Sequence, residues 1–105
     1  MIDPDLLQRA EAKGTDRQYC DWLKTQPSAL GTGWDYDWDI GSFCVPAHFR
    51  TANNSGVAVK PDFQAIPLRN AEHQRQHAIG TFAFMQREWC ERQIGIHLER
   101  WIATP

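Results

Sequence analysis

His73 and His77 stand four residues apart in a stretch, Ala71 to Ile79, whose spacing predicts a short helix. Four residues make about one turn, so both imidazoles leave the same face and offer two nitrogens to one divalent ion. The pair alone fits an ordinary solvated helix face equally well. His48 adds a third imidazole, at the end of a predicted strand, between Ala47 and Phe49 and ahead of an Asn/Gly-rich loop. The order of strand histidine, loop, and helix with HxxxH lets an ion sit on the helix while the strand histidine faces an attacking water. Imidazole removes a proton from water near neutral pH, and a metal neutralises charge on a phosphate and its leaving oxygen. The chemistry expected from this order is metal-assisted phosphodiester hydrolysis. A buried His48 bonded to a backbone carbonyl is the structural alternative.

The remaining reactive side chains are expected to be quieter. Cys20, Cys44 and Cys90 are odd in number, far apart and in no CxxC pair, so they build neither a disulfide framework nor a four-cysteine zinc site. Cys44 lies in an apolar strand with nothing to activate a thiolate. His97, among apolar residues of the last helix, reads as structural.

The elements that must position these side chains follow from local signals. Asp3-Pro4 starts a helix, since Asp caps free N–H groups and Pro tolerates the first helical position; Leu6, Leu7 and Ala10 form its apolar stripe. Gly14 ends it, and Thr15 or Asp16 caps a second helix in which Tyr19, Trp22 and Leu23 recur at helical spacing up to Pro27. Both helices are expected to be scaffold. From Ser28 to Phe49 the helical period disappears; a hairpin or loose ribbon is expected, with SFCVPAHF as a strand running toward His48. At its tip, Trp34 to Asp39 alternate aromatic and acid, which predicts aromatics packed inward and acids in water, with an acidic metal site or a protein-docking tip as alternatives. Residues 50–67 read as a long loop with at most one short extended piece. Asn70 is expected to cap the helix over 71–79, and Gly80 to stop it. Thr81 is expected to cap a last helix, with Phe82, Met85, Trp89, Ile94, Leu98, Trp101 and Ile102 on its apolar face and a bend near Gly95.

The chain has 105 residues, enough for one domain and one core, and no run suited to a signal peptide or a transmembrane segment. A reducing cytoplasm fits its cysteines. The net charge of −2 argues against coating nucleic acid by bulk electrostatics. The charge is uneven: residues 1–44 hold four Lys/Arg against eight Asp/Glu, whereas residues 45–78 hold four against two and carry three of the four histidines.

Several stretches together resemble a known family. They are Tyr19-Cys20-Asp21-Trp22-Leu23-Lys24-Thr25-Gln26-Pro27, Pro46-Ala47-His48-Phe49-Arg50, Lys60-Pro61-Asp62, Ile66-Pro67-Leu68, and His73 with His77. Over about residues 19–80 the chain resembles small phage and prophage HNH-type nucleases, His-Me finger proteins with a ββα-metal core, including relatives of the phage recombination-enhancement nucleases.

The resemblance implies an α+β fold in one domain, with the core at about 28–80 and flanking helices at 3–26 and 81–103. It implies a metal-dependent DNA endonuclease of phage or prophage DNA processing or recombination, in the bacterial cytoplasm. Its general base would be His48, and its ligands to one divalent ion (Zn, Mg or Mn) would be His73 and His77. Ala47 stands where many such enzymes carry a further Asp or His ligand, so water and substrate phosphate would complete the shell. Arg69 and Glu72 occupy the helix-start pair where a CxxC is frequent, which removes a structural zinc. Gln64, Asn53 or Asn54 would fix the loop in place of the family's middle Asn. Arg50, Lys60 and Arg69 would hold phosphates, with solvated loop charges as the plainer reading of Arg50 and Lys60. DNA is the implied partner, presented by a recombinase or another DNA-processing protein, with no membrane involved. The competing reading is a catalytically silent scaffold whose acidic aromatic ribbon docks on a phage or host protein.

Overall fold

The computed structural model describes residues 2–33, 35–49, 62–80 and 85–105. Among these, four helices and one two-stranded antiparallel sheet make a mixed α+β chain. Helix α1 spans Pro4–Lys13, α2 Asp16–Leu23, α3 Asn70–Ile79 and α4 Arg87–Ile102; strands β1 and β2 span Val45–His48 and Ala65–Leu68.

The first two helices begin where their sequence says. The Asp3 carboxylate accepts from the Asp5 N–H at 3.1 Å ahead of Pro4. Thr15 and Gln18 form a reciprocal capping box, each side chain accepting from the other's backbone N–H at 3.2 and 2.8 Å. Gly14, between the two helices, leaves space for the capping Gln18: a Cβ there would clash with Gln18 Oε1 and come within 3.3 Å of the Trp101 ring.

β1 is shorter than the expected SFCVPAHF strand. Its register pairs Val45 with Leu68, Pro46 with Pro67, Ala47 with Ile66 and His48 with Ala65. Opposed prolines have no N–H to exchange, so this pair occupies a non-hydrogen-bonded position of the ladder. An isolated two-stranded ribbon is marginal in water. Here β2 is buried along its whole length, and Tyr19 of α2 donates its hydroxyl to the Ala65 carbonyl at 2.8 Å. Tyr19, Phe63 and Trp101 pack ring against ring, with centroids 5.3 to 6.0 Å apart, and join α2, β2 and α4 in one core with Leu23, Ile66, Leu68, Ile94 and Leu98. Leu6 of α1 packs beside Gly95 of α4, where a Cβ would lie 3.8 Å from it, in ordinary contact.

Three expectations need correction. The last helix starts at Arg87 with Gln86 as its cap residue, and Thr81 and Phe82 lie outside the described residues. Arg69, not Asn70, precedes α3, and the Glu72 carboxylate accepts from the Arg69 N–H at 2.8 Å. The tip does not turn its aromatics inward: Trp38 is 86% exposed, because residues 37–42 close a tight turn through an Asp37–Ser42 bridge instead of extending as a strand. Trp34 lies outside the described residues. Among the described residues no helix is long and apolar enough to cross a membrane.

Candidate functional site

The chain order around the sheet is β1, connection, β2, α3, which sets His48 on the hairpin and the HxxxH pair on the helix that follows it. On α3 the His73 and His77 rings meet edge to face with centroids 4.5 Å apart, and their Nε2 atoms are 3.1 Å apart. Two nitrogens each about 2.05 Å from one ion span about 2.9 Å at a right angle and about 3.3 Å at the tetrahedral angle. The observed separation is that of an N–H···N hydrogen bond between the two rings and also falls between these values, so the pair could take two positions on one cation in place of that bond.

His48 is placed by strand alternation. Ala47 is fully buried in the core, and His48 therefore points to the other face, toward α2. Its Nε2 lies 3.6 Å from Asp16 Oδ2 and 3.6 Å from Cys20 Sγ, and Cys20 Sγ lies 3.7 Å from Asp16 Oδ2. Asp16 and Cys20 are four apart on α2, so both face the strand. The other carboxylate oxygen of Asp16 accepts the Phe63 N–H at 2.7 Å, which fixes the carboxylate's rotation. Phe63 takes a left-handed backbone, φ 63°, uncommon for an aromatic residue. The buried ring and the Asp16 bond hold it there. Asp16, Cys20 and His48 are a group able to hold a metal ion.

The thiols are poor nucleophiles. Burial, reinforced by Asp16, pushes the Cys20 thiol up to about 12, and burial pushes Cys44 and Cys90 up to about 11. All three are free cysteines. His97 is buried, with Nδ1 2.7 Å from the Gln93 carbonyl, as expected of a structural histidine.

Where the resemblance places Arg69 and Glu72 in lieu of a CxxC pair, a polar clasp stands. The Glu72 carboxylate accepts from Ser28 Oγ at 2.7 Å, from the Thr32 hydroxyl and from the Arg69 N–H, while the Arg69 guanidinium donates to the Thr32 carbonyl at 3.2 Å. The adjoining pocket, about 250 Å³ and lined by Thr32, Asp37, Arg69, Asn70, Ala71 and Glu72, is smaller than a usual small-molecule site. Gln64 joins the hairpin through its backbone carbonyl, which accepts the Phe49 N–H at 2.9 Å. Arg50, Asn53, Asn54 and Lys60 lie outside the described residues.

Sequence reasoning missed Asp16 and Cys20. Their only signal is a shared helix face beside the buried Tyr19 and Leu23, and that face gains meaning only once β1 is folded against it. Comparison of the chain with protein-family models, curated proteins and solved structures gives no match.

Proposed function

We propose that the chain is a metal-dependent DNA endonuclease of the HNH type, with β1, β2 and α3 as a ββα-metal core, serving phage or prophage DNA processing or recombination in the bacterial cytoplasm. The observation that carries this reading is the 3.1 Å separation of the His73 and His77 Nε2 atoms on the helix that directly follows the hairpin bearing His48. His73 and His77 would hold the cation, which, when bound, neutralises charge on the scissile phosphate and its leaving oxygen.

On this reading His48 serves as the general base, on a ring whose Nε2 is turned toward Asp16 and Cys20, 3.6 Å from each. Ala47, turned into the core, adds no ligand. Arg50 and Lys60 supply phosphate contacts from the connection, and Arg69 stands at the start of the same helix as the histidine pair.

The test is a plasmid-nicking assay with Mg²⁺, Mn²⁺ or Zn²⁺, run beside measurement of bound metal. His73→Ala and His77→Ala should each lose most bound Mn²⁺ and cleavage while staying folded, because α3 is tied down by Glu72. His48→Ala should keep that metal and lose on the order of 10² to 10⁴ in rate. Undiminished cleavage by His48→Ala rejects it as the base.

A second reading has its own observation. Trp38, 86% exposed and set among Asp35, Asp37 and Asp39, is a large apolar ring in an acidic loop, suited to docking on a basic protein surface. A wild-type chain that cuts neither single-stranded nor duplex DNA with any of the three cations, with or without a recombinase filament, makes this the better reading.

A further inference from the structure

We propose that Asp16, Cys20 and His48 form a second cation site, of the zinc class, which joins α2 to β1 and, when filled, withdraws His48 from catalysis. The first half stands on geometry alone. The second half rests on the reading of His48 as a general base.

The three donor atoms form a nearly equilateral triangle with edges of 3.6, 3.6 and 3.7 Å. On one face of a tetrahedral zinc shell, sulfur lies about 3.6 Å from nitrogen or oxygen, and nitrogen about 3.3 Å from oxygen. The triangle thus matches such a face to within about 0.3 Å, without rotamer changes being required. Three further features support a ligand set over a chance meeting of polar groups. The donors come from two elements, and the two on α2 share one face by their four-residue spacing. The surroundings are sheltered, with the His48 side chain 10% and the Asp16 side chain 25% exposed. The Phe63 N–H on Asp16 Oδ1 orients the carboxylate so that Oδ2 faces the other donors, the outer-shell support that ligating carboxylates need.

The donor chemistry selects the cation. A sulfur, an imidazole nitrogen and a single carboxylate oxygen suit Zn²⁺ and disfavour Mg²⁺ and Ca²⁺, which take oxygen ligands. The His73/His77 pair contains no sulfur, so the two sites differ in selectivity as well as in place. An ion on His48 Nε2 takes the lone pair there, and the neutral ring then carries its proton on Nδ1. Such a ring cannot accept a proton from water. A chain saturated at this site is therefore a chain without its base.

Cobalt(II) and zinc titrations of the full chain test the proposal. Cobalt should give an intense near-ultraviolet thiolate charge-transfer band in the wild type and in the His73→Ala/His77→Ala double variant, and none in Cys20→Ser. In the His73→Ala/His77→Ala background, which leaves the thiolate site alone, zinc should displace the cobalt at one equivalent and raise the melting temperature, and adding Cys20→Ser to that background should abolish the rise. Asp16→Asn, which keeps an oxygen for the Phe63 N–H, should bind zinc at least tenfold more weakly, and circular dichroism checks that both variants are folded. Absence of the cobalt band in folded wild type, or its survival in Cys20→Ser, overturns the site. In Mn²⁺-supported cleavage, zinc should inhibit the wild type in step with occupancy of the thiolate site, and inhibit Cys20→Ser less, each judged against its own zinc-free rate. Full cleavage with the site filled overturns the withdrawal of His48. A cobalt band in a chain that never cleaves upholds the cation site and rejects the nuclease reading alone.

Discussion

His97 shows how burial sets the behaviour of a titratable side chain here. It is buried in α4, with Nδ1–H donated to the Gln93 carbonyl at 2.7 Å. Burial lowers its pKa from 6.5, the backbone acceptor opposes that shift, and Arg100 adds to it. Folding therefore favours the neutral ring. Well above pH 6.5 the ring is neutral in both states and its contribution to stability is complete. As pH falls, the unfolded chain takes the proton first, and that contribution is lost through the folded-state pKa. The urea midpoint should drop between pH 7 and pH 5 by more in the wild type than in His97→Gln, which keeps a donor but does not titrate. Equal drops would mean that His97 plays no part in acid sensitivity. The sequence revealed this residue's role because an apolar helical stripe surrounds it. It equally revealed the His73/His77 pair, since a four-residue spacing is a local fact. It did not reveal that His48 meets Asp16 and Cys20, because that meeting depends on which face of β1 turns toward α2.

The elements depend on the connections between them as much as on their own propensities. Most of α3 is exposed, and among its residues only Gln76 is buried, so packing alone anchors it weakly. Glu72 compensates by capping the helix start and holding Ser28 and Thr32 of the loop that follows α2. Glu72→Ala should cost about 2 kcal/mol, the range for losing charge-assisted bonds together with a cap. Glu72→Gln, which retains one acceptor oxygen for the Ser28 hydroxyl and the Arg69 N–H, should cost less. Urea unfolding with an unchanged m-value is the measurement, and equal stability of Glu72→Ala and wild type would mean that the clasp is idle. Both ends of α1 and the start of α2 were legible because Asp3, Gly14 and Thr15 act on neighbours a turn away, whereas α2 stops at Leu23, short of the break expected at Pro27. The start of α4 was not, since Thr81 is a good cap residue by type while Gln86 precedes the helix. The acid–aromatic alternation from Trp34 to Asp39 fitted an amphipathic strand or a turn, with the aromatics inward in either. The backbone bonds from Asp37 N–H to Ser42 and from Gly41 N–H back to Asp37, both 2.9 Å, close a turn, with Gly41 at φ 69°. This turn has no inward face to bury Trp38.

On the scale of the molecule, the radius of gyration of 13.1 Å is what about a hundred residues give when they share one core, so the charges of all segments are felt together. Residues 1–44 are strongly acidic and residues 45–78 are basic. Under the proposed nuclease reading, the acidic segment would repel DNA and the basic segment, to which His48, His73 and His77 belong, would attract it, so that binding would be weak and each contact measurable. Arg50 and Lys60 belong to the segment between β1 and β2, and their role as phosphate holders rests on the sequence. Each phosphate neutralised on duplex DNA contributes a slope of about −0.9 to the dependence of log affinity on log salt concentration. Arg50→Ala and Lys60→Ala should each flatten that slope by about one and weaken binding similarly for unrelated sequences, since phosphates carry no base identity. Uncharged substitutions of acidic residues at the tip, such as Asp37→Asn and Asp39→Asn, should act oppositely, raising affinity at low salt by relieving repulsion, an effect that fades once the Debye length falls to about 3 Å at molar salt. An unchanged slope in both cationic variants would return Arg50 and Lys60 to the role of solvated loop charges and leave phosphate binding to Arg69 and the cation held by the histidine pair.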